Sequence, residues 1–310
     1  MAKKDQMTKF LRRSLQFKLR SFLLILAIVC IWLGWYSVRV QQQREAVDWV
    51  LKNGGAVRYD YEYQGQKFIP DSQPSVPKWL LDTLGVDYFS AVTWVELSNM
   101  SKQVSDVTPL ASLAKLKKLR LFNTQVNDVT PLAGLMNLEI LILSYTQVSD
   151  LTPLAGLTNL EQLRLFNTQV NDVTPLAGLT NLEILILSDT QVSNVTPLAG
   201  LTNLRVLILD DTQISDLKPL AGLAKNLAFL TLHDTQISNL APLAGLANLD
   251  VLALNDTQVS DVAPLAGLAN LKELWLSNTQ ASEEDIEKLK QALPNCVVES
   301  VDEYPFFSDN

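Results

Sequence analysis

A Pro-Leu pair, usually within the sequence PLAGL, recurs along this chain at a nearly constant spacing. The prolines stand at positions 109, 131, 153, 175, 197, 219, 242 and 264, so the interval is 22 residues, except for one of 23 that contains Lys225 and Asn226. A unit of this size is too small to bury its own apolar side chains, and successive units must stack to form one continuous core. The spacing therefore predicts a solenoid over residues 92–281.

One unit, LEILILSYTQVSDLTPLAGL at residues 138–157, shows how each repeat is built. Its Leu-x-x-Leu-x-Leu start alternates in the manner of a β-strand, with Leu141 and Leu143 directed inward. Thr152 and Pro153 then open a short helical turn, because Thr is a favourable N-cap and Pro a favourable first helical residue. The few residues that remain before the next strand leave room for a 3₁₀ turn and for no long helix.

These units resemble the leucine-rich repeats of the bacterial internalin class, whose signature is LxxLxLxxNxI…PLxxL, and the resemblance extends over residues 92–300. It implies an α/β solenoid, a right-handed horseshoe or arc with a parallel, concave β-sheet and short 3₁₀ turns on the convex side. One departure is that the Asn that follows the strand in this class is replaced by Thr. We interpret this Thr and the Gln after it as a pair that satisfies backbone groups in the turn, and a solvated Gln kept by recent duplication is the alternative. The pairs are Thr124-Gln125, Thr146-Gln147, Thr168-Gln169, Thr190-Gln191, Thr212-Gln213, Thr235-Gln236, Thr257-Gln258 and Thr279-Gln280.

An uncharged segment, SFLLILAIVCIWLGWYSV, covers residues 21–38. At about 1.5 Å per helical residue it spans roughly 27 Å, close to the thickness of a bilayer core, and it is predicted to be a single transmembrane helix. Seven basic residues precede it and only Arg39 and Arg44 follow it closely, so residues 1–20 are predicted to be a basic cytoplasmic tail and the rest to lie outside the cytoplasm. A cleaved signal peptide, a lipoprotein signal at Cys30 and a buried soluble helix are the alternatives.

The flank before the repeats, residues 39–91, is predicted to be a juxtamembrane helix, a strand and an N-terminal cap. The sequence QQQREAVDWVLKNGG is typical of a helix that ends at Gly54 and Gly55. Polar residues alternate with apolar or aromatic ones from Val57 to Gln64, which predicts one half-buried strand. The whole run resembles the juxtamembrane segment of membrane-anchored bacterial leucine-rich-repeat proteins.

The flank after the repeats, residues 282–310, is predicted to be a C-terminal cap and a tail. Ser282 is a favourable N-cap and acidic residues follow it, so a helix is predicted to run from there to about Leu293. Val297 and Val298 are predicted to form a closing strand.

The residues between the inward leucines are predicted to point to the concave face, where equivalent positions of successive repeats lie about 4.8 Å apart. Several of them are aliphatic or aromatic, and an outward apolar patch is typical of a surface that binds a partner. Strand propensity spread by duplication is the alternative. The predicted partner-binding residues are Phe122, Ile140, Ile142, Phe166, Ile184, Ile186, Val206, Ile208 and Phe229.

A row of carboxylates, here called the acidic edge, is predicted just beyond the strands and consists of Asp189, Asp211, Asp234 and Asp256. Like charges at the spacing of neighbouring strands repel one another, and a cation or a basic partner would relieve the repulsion. Calcium is the natural candidate ion because it prefers oxygen ligands. Solvation and screening by salt are the simpler alternative, under which the chain has no metal site.

No catalytic constellation is evident in the sequence. His233 is the one histidine, Cys30 and Cys296 are the two cysteines, and no glycine-rich phosphate loop or nucleophile elbow occurs. We therefore expect no zinc site, no disulfide, no cofactor and no enzymatic activity. After Arg44 the chain carries 16 basic and 32 acidic residues, a balance that disfavours nucleic acid as a partner.

These features together predict a membrane-anchored leucine-rich-repeat protein. Its concave face is expected to bind a partner, most simply another protein, in the periplasm or at the cell surface. A structural spacer of the cell envelope without a specific ligand is the alternative.

Overall fold

The computed structural model describes residues 2–64, 67–70, 72–98 and 104–299, with the backbone alone for residues 2–20 and 64. The predicted tail at residues 300–310 and the side chains of the predicted basic tail lie outside this description. The helices are α1 Ala2–Lys52, α2 Lys78–Leu84 and α3 Glu283–Ala292. The strands are β1 Ala56–Tyr59, β2 Tyr63–Gln64, β3 Lys67–Phe68, β4 Val92–Glu96, β5 Lys118–Arg120, β6 Ile140–Ile142, β7 Gln162–Arg164, β8 Ile184–Ile186, β9 Val206–Ile208, β10 Phe229–Thr231, β11 Val251–Ala253, β12 Glu273–Trp275 and β13 Val297–Glu299.

One long sheet forms the spine of the molecule. Within the described ranges it has 11 strands in the order β1, β4 and then β5 to β13 in chain order. The strands from β4 to β13 are parallel, and β1 pairs with β4 in the antiparallel sense at the N-terminal edge. Each strand from β4 to β11 is followed by a short 3₁₀ turn with proline in its first turn, so the predicted leucine-rich-repeat solenoid is confirmed. These turns are Thr108–Ser112, Thr130–Leu132, Thr152–Leu154, Thr174–Gly178, Thr196–Gly200, Lys218–Leu223, Ala241–Leu243 and Ala263–Gly267.

The core is a stack of leucine and valine rows shared by all repeats. In the central unit Leu141, Leu143, Val148, Leu151 and Leu154 are at most 1% exposed, and the same positions are buried in the neighbouring units. Every repeat therefore contributes apolar surface that is covered only when the next repeat is in place. This stacking is what fixes the positions of the outward residues between the leucines.

A threonine follows each strand from β5 to β12 and forms the same hydrogen bond, and it is buried in all of these repeats except the last. In one repeat the Thr212 hydroxyl donates to the carbonyl of Leu209 at 2.6 Å, and Thr212 is 5% exposed. The next residue, Gln213, has an exposed side chain and uses its backbone N–H, which donates to the carbonyl of Val192 in the preceding repeat at 2.9 Å. The threonine half of the sequence hypothesis is thus observed, whereas the glutamine acts through its backbone.

We expect Thr212→Val to lower the free energy of unfolding by about 1–3 kcal/mol, because the buried Leu209 carbonyl loses its partner without a change in side-chain volume. The neighbouring exposed substitution Gln213→Ala is the matched control and is expected to change it by less than about 0.5 kcal/mol. Urea unfolding followed by circular dichroism measures both. If both variants lost the same amount of unfolding free energy, the hydrogen bond of the buried Thr212 hydroxyl would not be what stabilises this turn.

The prediction that threonine caps the 3₁₀ turns is wrong. The residue two positions earlier performs this role, as in the turn at Thr130, whose backbone N–H donates to the Asp128 carboxylate at 2.8 Å. Asn replaces Asp at Asn194 and Asn239 and makes the same bond. A side-chain oxygen two residues before the turn reaches the free N–H with less strain than the hydroxyl of the turn residue itself, the geometry of an Asx turn.

The single extra residue of the 23-residue repeat is absorbed on the convex side. The turn there, Lys218–Leu223, is lengthened, and a side chain added at Gly222 would lie 2.6 Å from the Ala199 carbonyl oxygen of the preceding repeat. Asn226 still donates to the carbonyl of Thr202 at 2.7 Å, as the equivalent asparagines do elsewhere. The strand register continues unchanged between β9 and β10.

The helix α1 is continuous from the apolar segment into the solenoid. Its last turns place Val40, Ala46, Val47 and Val50 in buried positions, with exposures of 8%, 2%, 6% and 0%. The last three of these belong to the same core cluster as the leucines. The end of the helix thus covers the N-terminal end of the solenoid core, which would otherwise face water.

The predicted single strand from Val57 to Gln64 is interrupted. Strand β1 ends at Tyr59, and a 3₁₀ turn over Asp60–Glu62 follows before β2. The Glu62 carboxylate accepts a hydrogen bond from the backbone N–H of Tyr59 at 2.6 Å. Such local bonds between side chain and backbone compete with the sheet ladder and break the strand, although the alternation of residues favours its continuation.

The C-terminal end follows the sequence expectation. The helix α3 has Ser282 as its N-cap, whose hydroxyl accepts from the backbone N–H of Asp285 at 3.1 Å, and the strand β13 closes the sheet beside β12. Cys296 is partly buried and packs against the core. Burial raises the pKa of its thiol to about 11, which keeps the thiol protonated at neutral pH.

Candidate binding surface on the concave sheet

The strands present alternate residues outward, as the pattern of leucines predicts. In β6 the buried Leu141 lies between the partly exposed Ile140 and Ile142, and in β8 Leu185 lies between Ile184 and Ile186. The strand register aligns these outward residues in columns across the sheet. Of the predicted partner-binding residues, all except one are partly exposed on this surface.

The exception is Ile208, which is only 6% exposed and does not belong to an accessible patch. In the sheet register it lies between Ile186 and Thr231, with one neighbouring strand on each side. The Asp210 carboxylate accepts hydrogen bonds from the Thr231 hydroxyl at 3.0 Å and from the backbone N–H of His233 at 2.9 Å. These bonds join the loop after β9 to β10 and to the residues that follow it. The exposure of Ile208 depends on its neighbours in the adjacent repeats and cannot be read from one repeat alone.

Three aromatic rings from successive repeats meet at the edge of the concave face. The ring of Tyr145 packs edge-on against Phe122 and Phe166, with centroid separations of 5.2 Å and 4.9 Å. Tyr145 is 40% exposed. We call these three residues the aromatic cluster. Rings in this arrangement form a preorganised apolar surface that remains open to a partner.

A shallow cavity of about 220 Å³ adjoins the cluster on its N-terminal side. The Arg120 guanidinium lies 5.4 Å from the centre of the Phe122 ring and 3.8 Å from the Glu96 carboxylate. Lysine and arginine side chains therefore surround isoleucine side chains in this part of the sheet. We call the cavity the basic cradle, and its lining residues are Trp94, Lys118, Leu119, Arg120, Ile140, Ile142, Gln162 and Arg164.

The position directly beyond the strands has a left-handed backbone in every repeat from the second onward. Its φ values lie between 47° and 59°. Asn and Asp tolerate this conformation far better than other residues with a β-carbon, so the backbone itself accounts for the carboxylates of the acidic edge. Tyr145 departs from this rule and costs about 1–2 kcal/mol in backbone strain. The residues are Asn123, Tyr145, Asn167, Asp189, Asp211, Asp234, Asp256 and Asn278.

Two carboxyl groups of the acidic edge, those of Asp189 and Asp211, have raised pKa values. Partial burial, together with the neighbouring Asp189 carboxylate, raises the pKa of Asp211 to about 6, and His233 opposes the shift. Burial also raises the pKa of Asp189. The imidazole Nδ1 of His233 lies 3.3 Å from the Asp256 carboxylate, within the distance of an ion pair when the imidazole is protonated.

A pH-dependent stability follows from the Asp211 carboxyl group. Because its pKa is higher in the folded than in the unfolded chain, the folded state binds more protons, and stability falls as pH rises from about 4 to 6. Asp211 remains in contact with solvent, so we expect a shallow dependence. Asp211→Asn should flatten it and raise stability at neutral pH, since Asn suits the same backbone.

Asp172→Asn is the matched control for this measurement. Hydrogen bonds from the Thr174 hydroxyl and N–H lower the pKa of Asp172, so its charge acts with the opposite sign and stabilises the fold above its unfolded pKa. Urea unfolding at several pH values between 4 and 7 compares the variants. A wild-type slope that survives Asp211→Asn would assign the dependence to another group.

The geometry does not favour a metal ion at the acidic edge. Across the described ranges, no three or more His, Cys, Asp or Glu side chains are grouped closely enough to hold a metal ion. Asp234 and Asp256 have exposed side chains that water can solvate. The left-handed backbone accounts for the carboxylates of the acidic edge without a bound ion.

Sequence reasoning named Phe122 and Phe166 but missed their connection through Tyr145. The three residues come from two different positions of the repeat, and their rings meet where three successive repeats stack. One signal was available in the sequence. Tyrosine occupies a position that is Asn or Asp in the other repeats, so it is the unusual residue of its column.

Comparison with known proteins identifies the repeats. A model of the family described as leucine-rich repeats (2 copies) matches residues 137–178 and 180–222. No curated protein matches the chain significantly. Domains built from such repeats form extended concave surfaces, and they generally mediate protein–protein interactions.

Solved structures define the class more narrowly. Internalin C2 from Listeria monocytogenes is 40% identical, with a TM-score of 0.58, and the match covers 62% of this chain and 83% of internalin C2. Internalin F from the same organism is 26% identical, with a TM-score of 0.57, and 71% of this chain and 72% of that chain are covered. A leucine-rich-repeat protein of Leptospira interrogans shares the fold at 22% identity and a TM-score of 0.53, over 64% of this chain and 57% of its own. With its 22-residue repeats, parallel sheet and 3₁₀ turns, the chain belongs to the internalin-like family of leucine-rich-repeat proteins.

Proposed function

We propose that this chain is a single-pass membrane protein whose solenoid binds a protein partner on its concave face, outside the cytoplasm. The observation that carries the proposal is the exposed aromatic cluster with Tyr145 at its centre. A tyrosine with φ of 59° is strained, and strained residues concentrate at functional sites, where the surrounding structure holds them in place. Folding alone favours Asn or Asp at this position, so binding supplies the reason for a tyrosine.

The chemistry of the surface indicates the kind of partner. The aromatic cluster adjoins the basic cradle, in which Lys118, Arg120 and Arg164 surround isoleucine side chains. Aromatic residues and arginine are the residue types most enriched at the centres of protein interfaces. We therefore expect a partner that presents apolar side chains together with carboxylates, and that binds the N-terminal half of the concave face.

The anchoring half of the proposal is supported by the N-terminal helix. Among the described residues one helix is long and apolar enough to cross a membrane, and it lies near the N-terminus. Its apolar side chains point away from the protein: Phe22, Ile28, Ile31 and Trp32 are 55–73% exposed. The excess of basic residues before this segment favours a cytoplasmic N-terminus.

A cleaved signal peptide is disfavoured by the same helix. The helix continues without a break to Lys52, and Val40 is 8% exposed within the folded domain. Tyr36, at the end of the apolar segment, donates a hydrogen bond to the Tyr88 carbonyl at 2.6 Å. The outer end of the apolar segment is thus part of the tertiary structure. Sequencing the N-terminus of the mature protein distinguishes an intact anchor from a cleaved one.

A photo-cross-linking experiment tests the binding site. Phe166→p-benzoyl-phenylalanine places the reactive group within the aromatic cluster and replaces one aromatic residue by another. The control position is Met136, which is 53% exposed on a convex turn and samples a surface outside the proposed site. We expect a specific protein adduct from position 166 and none from position 136 when cells that make the full-length chain are irradiated.

The two positions also distinguish the proposal from its alternatives. Adducts of equal yield from both positions would indicate contact without a defined site. The absence of an adduct at position 166 in cells that make a folded, membrane-bound chain would favour the structural spacer.

A further inference from the structure

The solenoid touches its own membrane helix at the point where that helix leaves the bilayer. The ring of Tyr36 lies 5.1 Å from the ring of Tyr88, in addition to the hydrogen bond from its hydroxyl to the Tyr88 carbonyl. Trp32 stacks on Tyr36 at 5.5 Å, and Phe89 packs on Tyr88 at 5.4 Å. A continuous row of four rings, here called the aromatic ladder, therefore runs from the apolar helix into the folded domain.

The contacts fix the height of this part of the domain above the membrane. Tyr36 lies two residues before the end of the uncharged segment, about 3 Å along the helix axis. Groups in contact with its ring, such as Tyr88, must therefore lie at the level of the lipid headgroups. The end of α2 is attached to the same helix, since the Arg44 guanidinium donates to the carbonyl of Leu84 at 2.7 Å.

Further bonds make this attachment rigid. The side-chain amide of Gln43 donates to the Asp87 carboxylate at 3.0 Å and to the carbonyl of Ser90 at 2.9 Å. The Tyr59 hydroxyl donates to the same Asp87 carboxylate at 2.9 Å. The turn Val86–Tyr88 is thus bonded both to the membrane helix and to the first strand, and its position relative to the bilayer is set by the fold.

The helix beside this turn exposes apolar side chains. In α2, Trp79 is 66% exposed and Leu84 is 37% exposed, and no residue of the helix is buried. A large exposed apolar surface on a short helix indicates a contact that the protein alone does not supply. Tryptophan is the residue that most favours the boundary between lipid and water, because its ring is apolar and its N–H is polar.

We propose that the segment from Trp79 to Phe89 is a second membrane contact, seated in the headgroup layer of the bilayer that the α1 helix crosses. The occupant is a lipid surface, since the aromatic ladder joins Tyr88 and Phe89 to the apolar surface of the membrane helix and α2 packs beside this turn. The consequence is that the solenoid stands at a fixed height and tilt and does not swing on a flexible tether. This inference rests on the proposed membrane anchoring, and its test separates the two.

The test measures the depth of single fluorescent labels on the full-length chain in vesicles of phosphatidylethanolamine and phosphatidylglycerol. The background carries Cys30→Ser and Cys296→Ala, and single cysteines for an environment-sensitive dye are introduced by Trp79→Cys, Ile31→Cys or Leu51→Cys. Ile31 is 73% exposed within the apolar segment and reports the anchor itself. Leu51 is 53% exposed on the same helix, about 20 Å beyond the end of that segment, and serves as the aqueous control.

We expect lipids with a nitroxide near the headgroup to quench the label at position 79 and to leave the label at position 51 unaffected. Lipids with a nitroxide deep in the acyl chain should quench position 31 most strongly. Quenching at position 31 with none at position 79 would overturn the second contact and keep the anchor. No quenching at position 31 would overturn both. A label at position 79 that is shielded from aqueous iodide but not quenched by lipid would assign the surface to a protein and contradict the proposal.

Discussion

We expect a carboxylate in place of Val50 to cost about 3–5 kcal/mol of the unfolding free energy, since it leaves an uncompensated charge in the core. Val50 is 0% exposed and belongs to the apolar cluster at the end of the solenoid. A side chain added at Gly55 would lie 2.8 Å from the Val50 Cγ1 atom and 2.6 Å from a methyl group of Leu97, which shows how little free space this junction has. Val50→Asp should therefore expose the first repeat to water.

The next residue provides the control. Leu51 is 53% exposed on the same helix, so Leu51→Asp makes the same chemical change on the solvent side and should alter stability by less than about 0.5 kcal/mol. Urea unfolding of the full-length chain in detergent, followed by circular dichroism, measures both variants. Similar losses for the two would mean that the helix is attached loosely and does not cap the repeats.

The second large effect is expected for substitution of Tyr145, which should weaken binding of the partner without weakening the fold. We expect Tyr145→Asn to lower affinity for the cross-linked partner by about tenfold or more, because buried tyrosines at the centre of an interface commonly contribute 1–2 kcal/mol or more. The same substitution relieves a strained backbone, which is worth about 1–2 kcal/mol. Loss of the ring contacts with Phe122 and Phe166 offsets part of this gain. The variant should therefore fold at least as well as the wild type.

A reverse substitution at the far end of the solenoid provides the control. Asn278→Tyr places tyrosine in the same left-handed conformation and also removes the hydrogen bond from Asn278 to the Asp256 carboxylate. It should destabilise the fold by about 1–2 kcal/mol and leave affinity unchanged. Biolayer interferometry and urea unfolding measure the two quantities. If Tyr145→Asn lowered stability and left affinity intact, Tyr145 would be a structural residue.

The repeated elements were predictable because their cause is local and occurs in every unit. Alternating leucines direct one side of each strand inward, and proline opens each turn, so β6 and the turn Thr152–Leu154 follow from the sequence. The two wrong predictions, an unbroken strand after Val57 and threonine as the cap of the turns, failed because side chains form hydrogen bonds with the nearby backbone. The strand after Val57 breaks because Glu62 bonds to the backbone of Tyr59, and Asp128 displaces the threonine that was expected to cap its turn.

The candidate site was less predictable, because exposure depends on neighbouring repeats. Ile186 and Ile208 occupy the same position of the repeat, yet Ile208 is buried at 6% exposure and Ile186 is not. Ile208 lies between Ile186 and Thr231 in the sheet register, so its exposure depends on side chains of the adjacent repeats. The aromatic cluster likewise requires the stacking of three repeats before Phe122, Tyr145 and Phe166 can meet.

By itself, the sequence determined the solenoid, its inward leucines and the apolar N-terminal segment, because spacing and composition act within single repeats or single helices. Only the tertiary structure decided that the N-terminal helix caps the first repeat and that Tyr36 meets Tyr88, 52 residues further along the chain. No periodicity encodes such contacts. They arise because the apolar surface at the open end of the core must be covered, and the end of the helix α1 is the segment in position to cover it.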